Sequence, residues 1–246
     1  MTIKSAEEIT LMREAGRRLA LVMKACEEMA LKKANLLEID AFAGEEIRKG
    51  GDEVLFKGYK GFPANICLSL NNVVVHGIAF DYQLKDGDIL GIDMGLRYKG
   101  FCADMARTVM IGKVRDEVRK LVEDTKKAFE IGMMMVKDGV CTGDIGFAVQ
   151  SFCEGRGYGV VRALTGHGIG RELHEDPPIP NYGRKGKGDI LLAGMTIALE
   201  PMVNLGTGDV KFEGWFCYTA DGALSAHFEN TLLVTSNGCE ILTKFE

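Results

Sequence analysis

No apolar run in this sequence approaches the roughly 20 residues needed to cross a bilayer, which excludes a helical membrane span. The opening residues, Met1-Thr2-Ile3-Lys4-Ser5-Ala6-Glu7-Glu8, are charged early and lack the apolar core of a signal peptide, so a cytoplasmic location is expected. Basic excess is also missing. With 30 Lys and Arg against 35 Asp and Glu the net charge is −5, which counts against a dedicated nucleic-acid binder. Seven cysteines are scattered without a Cys-x-x-Cys pair, a pattern that suits free thiols in a reducing compartment better than a disulfide framework. Gly-x-Ser-x-Gly, a Walker loop and His-Glu-x-x-His are all absent. Histidine is scarce, with four residues in 246, and there is one tryptophan.

Scarcity makes the placement of the histidines informative. His167 and His174 lie in Gly166-His167-Gly168-Ile169-Gly170-Arg171-Glu172-Leu173-His174-Glu175-Asp176-Pro177, and His76 lies in Val74-Val75-His76-Gly77-Ile78, so His-Gly-Ile occurs twice. The alternating glycines superficially suggest a dinucleotide loop, but the spacing is wrong and a histidine sits inside it. Arg184-Lys185-Gly186-Lys187 reads as a solvated loop.

The hydrophobic pattern orders these motifs. Ser5 and Glu8 have capping-box spacing, and Ile9, Met12, Ala15, Leu19, Val22 and Cys26 follow at helical intervals, which predicts a helix from about 6 to 30. A second helical pattern (Ile39, Phe42, Ala43, Ile47) stops at Gly50-Gly51. Strand-like pieces follow at 66–70, 73–75, 89–94 and 108–111. The order then restarts, with helices over 116–137 and from Asp144 to about Gly155, and strands at 159–164, 195–199, 210–212, 216–219 and 231–235. Leu37-Glu38-Ile39-Asp40 is echoed by Thr142-Gly143-Asp144-Ile145, and Asp86-Gly87-Asp88-Ile89-Leu90-Gly91-Ile92-Asp93 by Ala193-Gly194-Met195-Thr196-Ile197-Ala198-Leu199-Glu200. The expectation is one catalytic domain over 1–246, with an internal pseudo-repeat of roughly 1–112 and 113–246.

Acids inside apolar strands need partners, because a polar group is costly to bury unpaired. Asp93 and Asp104 would face the same side if their strands form an antiparallel pair joined through Tyr98-Lys99-Gly100. Glu200 ends one apolar run and Glu229 precedes another. With His167 these four acids form a set that stays ionised only beside cations, so two divalent metal ions are expected. Ligation by oxygen with a single nitrogen suits Mn, Fe(II), Co or Zn. Cys67 by itself reads as a small buried apolar residue.

Taken together, these stretches resemble the type I methionine aminopeptidases of the pita-bread fold. The resemblance rests on Val75-His76-Gly77-Ile78, on Asp93 and Asp104, on Gly166 through Pro177, on Ala198-Leu199-Glu200-Pro201 and on Ser225-Ala226-His227-Phe228-Glu229, and it covers essentially the whole chain. It implies an α+β fold of two pseudo-twofold-related halves, with an antiparallel curved sheet enclosing the site and helices outside. It implies that Asp104 and Glu229 bridge two metals, that Asp93 holds one, and that His167 and Glu200 complete the other. The implied reaction is removal of the N-terminal methionine from newly made proteins when the second residue is small. A water between the metals attacks the first peptide carbonyl and Glu200 shuttles the proton. His174 would bond the scissile peptide and His76 would stabilise the tetrahedral species. Tyr59, Phe62, Cys67 and Trp215 would form the methionine pocket. The partners implied are nascent N-termini met by a monomer, with transient ribosome contact left open and neither membrane nor specific nucleic acid involved. Leu173 stands where the family commonly has Phe, Phe62 where Tyr is frequent, Met105 where a small hydroxyl residue is usual, and Asn230 where His is common. None of the four is an implied ligand. The alternatives are a prolidase or Xaa-Pro aminopeptidase, which usually carries a further N-terminal domain, and a non-catalytic pita-bread binding protein, which would have lost ligands. The type II enzymes carry a helical insertion before the last glutamate, for which the 28 residues between Glu200 and Glu229 leave little room.

Overall fold

A computed structural model describes residues 2–244. Two helices lead, α1 (Ala6–Leu31) and α2 (Leu36–Lys49), followed by β1 (Glu53–Val54), β2 (Cys67–Leu70), β3 (Val73–Val75), β4 (Ile89–Tyr98) and β5 (Phe101–Met110). Two more helices, α3 (Asp116–Met135) and α4 (Thr142–Glu154), precede β6 (Gly159–Val160), β7 (Gly166–Gly168), β8 (Glu175–Ile179), β9 (Thr196–Leu199) and β10 (Met202–Asn204). The remaining strands are β11 (Val210–Glu213), β12 (Phe216–Thr219), β13 (Ser225–His227), β14 (Glu229–Thr235) and β15 (Gly238–Ile241). No helix among the described residues is long and apolar enough to cross a membrane.

Helix α1 forms as its sequence predicts. Ser5 Oγ accepts the Glu8 N–H at 3.3 Å and Glu8 Oε2 accepts the Ser5 N–H at 2.9 Å, a reciprocal cap. The stripe Met12, Ala15, Leu19, Met23, Cys26 and Ala30 is buried, and the helix lies along β4 and β5. Gly16 lets it approach the C-terminal chain closely: a Cβ there would sit 2.2 Å from the Leu242 carbonyl oxygen. Gly16→Ala should therefore destabilise the fold by about 1–3 kcal/mol through overpacking, although alanine is the better helix former by roughly 1 kcal/mol. Urea unfolding checks this, and a midpoint at or above the wild-type value would contradict it.

A nine-stranded sheet holds the structure together, in the order β1-β4-β5-β14-β9-β7-β8, with β2 added on β4 and β15 on β14. Every pairing in it is antiparallel. Alternation along the strands separates its faces. Leu90, Ile92, Met94 and Leu96 of β4, with Ala103, Met105 and Val109 of β5, pack with α1 and α2 residues such as Leu19, Met23, Ile39 and Ile47. Ile197 and Leu199 of β9, with Leu232 and Val234 of β14, pack with Leu121, Phe129, Ile145 and Val149 of α3 and α4. The intervening residues, including Asp93, Asp104 and Glu229, therefore point to the face away from the helices. Two three-stranded sheets, β13-β10-β6 and β11-β12-β3, complete the architecture.

Several boundaries differ from expectation for identifiable reasons. The strand expected over 159–164 is paired only at Gly159–Val160, and Ala163, Leu164 and Thr165 leave it to line a cavity. Helix α4 opens at Thr142, two residues early, because Asp144 stands at its third position and accepts the Cys141 N–H at 3.3 Å. The strands expected at 89–94 and 108–111 are parts of one long hairpin spanning 89–110. Helix α3 stops at Met135 rather than 137, where Val136 turns extended. Strands β7, β8, β10, β13 and β15 carry too short or too polar a pattern to stand out in the sequence.

Candidate metal centre and substrate pocket

The sheet register brings the acids together. Asp93 pairs with Ala106, Glu229 also pairs with Ala106, and Asp104 lies two residues from Ala106 on the same face. Cys67 pairs with Asp93 from the other side, so one row crosses four strands as Cys67, Asp93, Ala106 and Glu229. A neighbouring row on the same face runs from Thr231, which pairs with Ala198, to His167, which pairs with Ala198 in turn. Glu200, two residues past Ala198, faces the same way. A one-residue slip in any pairing would send a carboxylate into the helix-packed core.

These side chains line one cavity of about 400 Å³. It contains Asp93, Asp104, His167, Glu200 and Glu229, together with His76, His174, Tyr59, Phe62, Cys67 and Trp215. Ligand atoms of Asp104, His167 and Glu229 lie within 4.8 Å of one another. His167 Nε2 is 3.6 Å from Glu200 Oε1 and 3.9 Å from Asp104 Oδ2. Its Nδ1 is 2.8 Å from the Gly168 carbonyl oxygen. A carbonyl can only accept, so Nδ1 holds the proton and Nε2 presents its lone pair to the carboxylates, the tautomer a metal ligand requires. Backbone bonds steady the acids: Thr231 Oγ1 accepts from Asp104 N at 3.0 Å and donates to Asp104 O at 2.9 Å, and Asn181 Nδ2 donates to Glu200 O at 2.9 Å. Arg107 donates to Glu229 O at 2.7 Å and to Asn230 Oδ1 at 2.8 Å, so the unusual Asn230 is spanned by a guanidinium behind the site.

Burial sets the electrostatics. It pushes the Asp93 carboxyl up to about 7, against a Cys67 hydrogen bond that lowers it. Burial first, and neighbouring carboxylates second, push Asp104, Glu200 and Glu229 well above the ordinary carboxylate range. Burial likewise lowers His167 and His174 to about 4, so both imidazoles are neutral near pH 7. Asp93 Oδ1, Asp104 Oδ1 and Glu229 Oε1 are buried and lack hydrogen-bond partners. Such orphaned oxygens on crowded acids, beside an imidazole lone pair, are the donor set that a hard-to-borderline divalent cation satisfies. The residues fit a metal.

The rest of the cavity is lined by aromatic, imidazole and apolar side chains. The Tyr59 hydroxyl and His174 Nδ1 share a hydrogen bond of 2.8 Å, and the His174 ring lies 4.3 Å from that of His167. Phe62 and Trp215 meet edge to face at 5.4 Å, with Trp215 at the exposed rim. His76 directly follows β3 and holds φ of 60°, an uncommon conformation for a residue with a Cβ. Phe56, Lys60, Leu164 and Thr165 also line the cavity, and no motif in the sequence flags them; Val75, next to His76 in its motif, lines it too. His227 was passed over as well. It is 3% exposed, and its unpartnered Nε2 lies 3.8 Å from Glu200 Oε2. The scarcity of histidine was the signal that could have found it.

Comparison with known proteins agrees with this geometry. A methionine aminopeptidase from Clostridium perfringens is 45% identical over 98% of each chain. The crystal structure of a methionine aminopeptidase from Thermotoga maritima superposes with a TM-score of 0.97 at 39% identity, covering 99% of each chain. A prolidase from Pyrococcus horikoshii shares the fold at a TM-score of 0.79 and 23% identity, and this chain covers 64% of it. Residues 10–236 match the profile of Metallopeptidase family M24. On that match and on the identity with full-length relatives, the chain belongs to metallopeptidase family M24.

Proposed function

We propose that this chain is a metallo-aminopeptidase that removes the N-terminal methionine of newly made proteins when the second residue is small. The carrying observation is the single cavity in which five ligand-type side chains adjoin the apolar wall of Phe62, Cys67 and Trp215. Asp93, Asp104, His167, Glu200 and Glu229 would hold two divalent ions, Co, Mn, Fe(II) or Zn. When bound, such ions supply Lewis acidity toward the first peptide carbonyl and acidify water enough for attack near neutral pH.

The chain's own residues do the rest. Glu200, its carboxyl raised by burial and neighbouring acids, takes the proton from the attacking water and returns it to the leaving amine. His174, with Nδ1 engaged by Tyr59, uses Nε2 to bond the scissile peptide. His76 steadies the oxygen that gains charge as the carbonyl becomes tetrahedral. Tyr59, Phe62, Cys67 and Trp215 receive the methionine side chain, and their packing excludes bulkier ones. The enzyme acts as a monomer on nascent N-termini.

A peptide panel tests this reading. Methionine should be released from Met-Ala-Ser in a chelator-sensitive way, and from Met-Lys-Ser more slowly by roughly 10²-fold, since pocket fit discriminates by a few kcal/mol at most. Comparable cleavage of an Xaa-Pro peptide without methionine would favour the prolidase alternative. Absence of any turnover in the metal-supplemented enzyme would favour a binding protein.

A further inference from the structure

The loop that presents His174 is held by a largely buried ion pair that the reaction itself does not use. Glu175 opens β8 and its side chain folds back over the preceding turn. Oε1 accepts the backbone N–H of Arg171 at 2.8 Å and of Glu172 at 3.2 Å. Oε2 accepts from Lys4 Nζ at 2.9 Å and from Thr2 Oγ1 at 2.8 Å. Four donors thus converge on one carboxylate. The Lys4 side chain is 4% exposed and also donates to Thr2 Oγ1, while its backbone N–H is anchored on the Gly194 carbonyl at 2.9 Å. Burial alone would raise the Glu175 carboxyl, but Lys4, Thr2 and the Glu172 amide outweigh it and hold it below its ordinary range.

The pair is fitted into the turn. A Cβ on Gly170 would lie 2.6 Å from Glu175 Oε1, Lys4 Cε and Lys4 Nζ, so a side chain there would have to displace the pair. The Gly170 carbonyl in turn accepts the Cys102 N–H at 2.7 Å, which joins the turn to the start of β5. Leu173 and His174, both lining the cavity, lie between the amides that Glu175 holds and Glu175 itself. A second tether, Arg171 Nη2 to Glu8 Oε1 at 2.9 Å, is exposed on the arginine side, at 66%, and such pairs contribute little. The Lys4–Glu175 pair, by contrast, is largely withdrawn from solvent, its side chains 4% and 16% exposed, and breaking one partner leaves an uncompensated charge.

We propose that Lys4 and Glu175 are positioning residues for the aminopeptidase site: by fixing the turn Arg171–Leu173 they set where His174 meets the substrate. This rests on the role given above to His174. Lys4→Met in the metal-loaded enzyme should lower kcat/KM for Met-Ala-Ser about 10-fold or more, because small displacements of a positioned group are costly. The same change should cost less than about 2-fold when made on top of His174→Ala, since coupled residues are not additive. Hydrogen exchange at the Arg171 and Glu172 amides should quicken in Lys4→Met, whereas Arg171→Ala should leave turnover within about 2-fold. An equal loss in both backgrounds, or amide protection unchanged, would overturn the proposal. If Lys4→Met does not fold, Glu175→Gln carries the same cycle, because it keeps an acceptor for the amides and loses the ion pair. If the wild type releases no methionine, the assigned reaction fails, while the exchange rates still decide whether the pair holds the turn.

Discussion

Glu200→Ala is expected to lower kcat by at least about 10³-fold, because in the proposed mechanism it removes both general acid–base help, worth roughly 10²–10⁴, and one of the proposed metal ligands. The fold should survive. Glu200 lies on the cavity face of the sheet, and its main-chain carbonyl, not its carboxylate, is what Asn181 holds. Its carboxyl is forced up by burial and by Asp104 and Asp93, so removing it relieves a cost in the metal-free protein. Glu200→Gln separates the two roles. It preserves shape and can still ligate weakly through oxygen, but it carries no exchangeable acid proton at neutral pH. A metal-supplemented Glu200→Gln enzyme within about 10-fold of wild type would show that another group moves the proton. His227, 3.8 Å from Glu200 Oε2, would be the next residue to test.

The site was more legible in the sequence than the sheet that builds it. Asp93, Asp104, Glu200 and Glu229 each interrupt or end an apolar run, and a carboxylate there announces itself because it has to be paired. The two long helices were legible because periodicity accumulates over many residues, whereas only the two ends of the β4–β5 hairpin stood out as strands. Strand β7 is three residues long, Gly166–Gly168, and its identity comes from pairing with β8 and β9, which no local pattern encodes. Residues 161–164 read as a continuing strand because Val160, Val161 and Leu164 are apolar. Instead Leu164 lines the cavity, while Val160 and Val161 are buried in core clusters. The clamp of Lys4 on Glu175 spans 171 residues of sequence and depends on a lysine whose burial no composition rule would suggest.

Stripping divalent metal should make stability fall as pH rises, the reverse of the usual acid denaturation of carboxylate-bearing proteins. The sign follows from the direction of the shifts. Asp93 is raised from its ordinary 3.8 to about 7, and Asp104, Glu200 and Glu229 are raised well above the ordinary carboxylate range, chiefly by burial. The folded chain therefore binds more protons than the unfolded one between those limits. Stability is fully present below the unfolded carboxylate range and is lost as pH climbs through the folded values, beginning near 4 and continuing past 7 for Asp93. A bound divalent ion replaces those protons, so loading the site should release them and should be hardest at low pH. At about 1,000 times its dissociation constant a ligand adds roughly 4 kcal/mol, and for a chain of this length that corresponds to about 8–16 °C in Tm. Thermal melts of chelated and metal-loaded protein from pH 5 to 8 test this directly. The two curves should diverge with pH, the chelated one falling. Parallel curves, or a chelated protein that gains stability toward pH 8, would mean that the acids are compensated by something other than a cation. The same titration run on Asp93→Asn, which removes one buried acid while preserving its shape, should flatten the chelated curve and lower metal affinity together, tying both effects to one side chain.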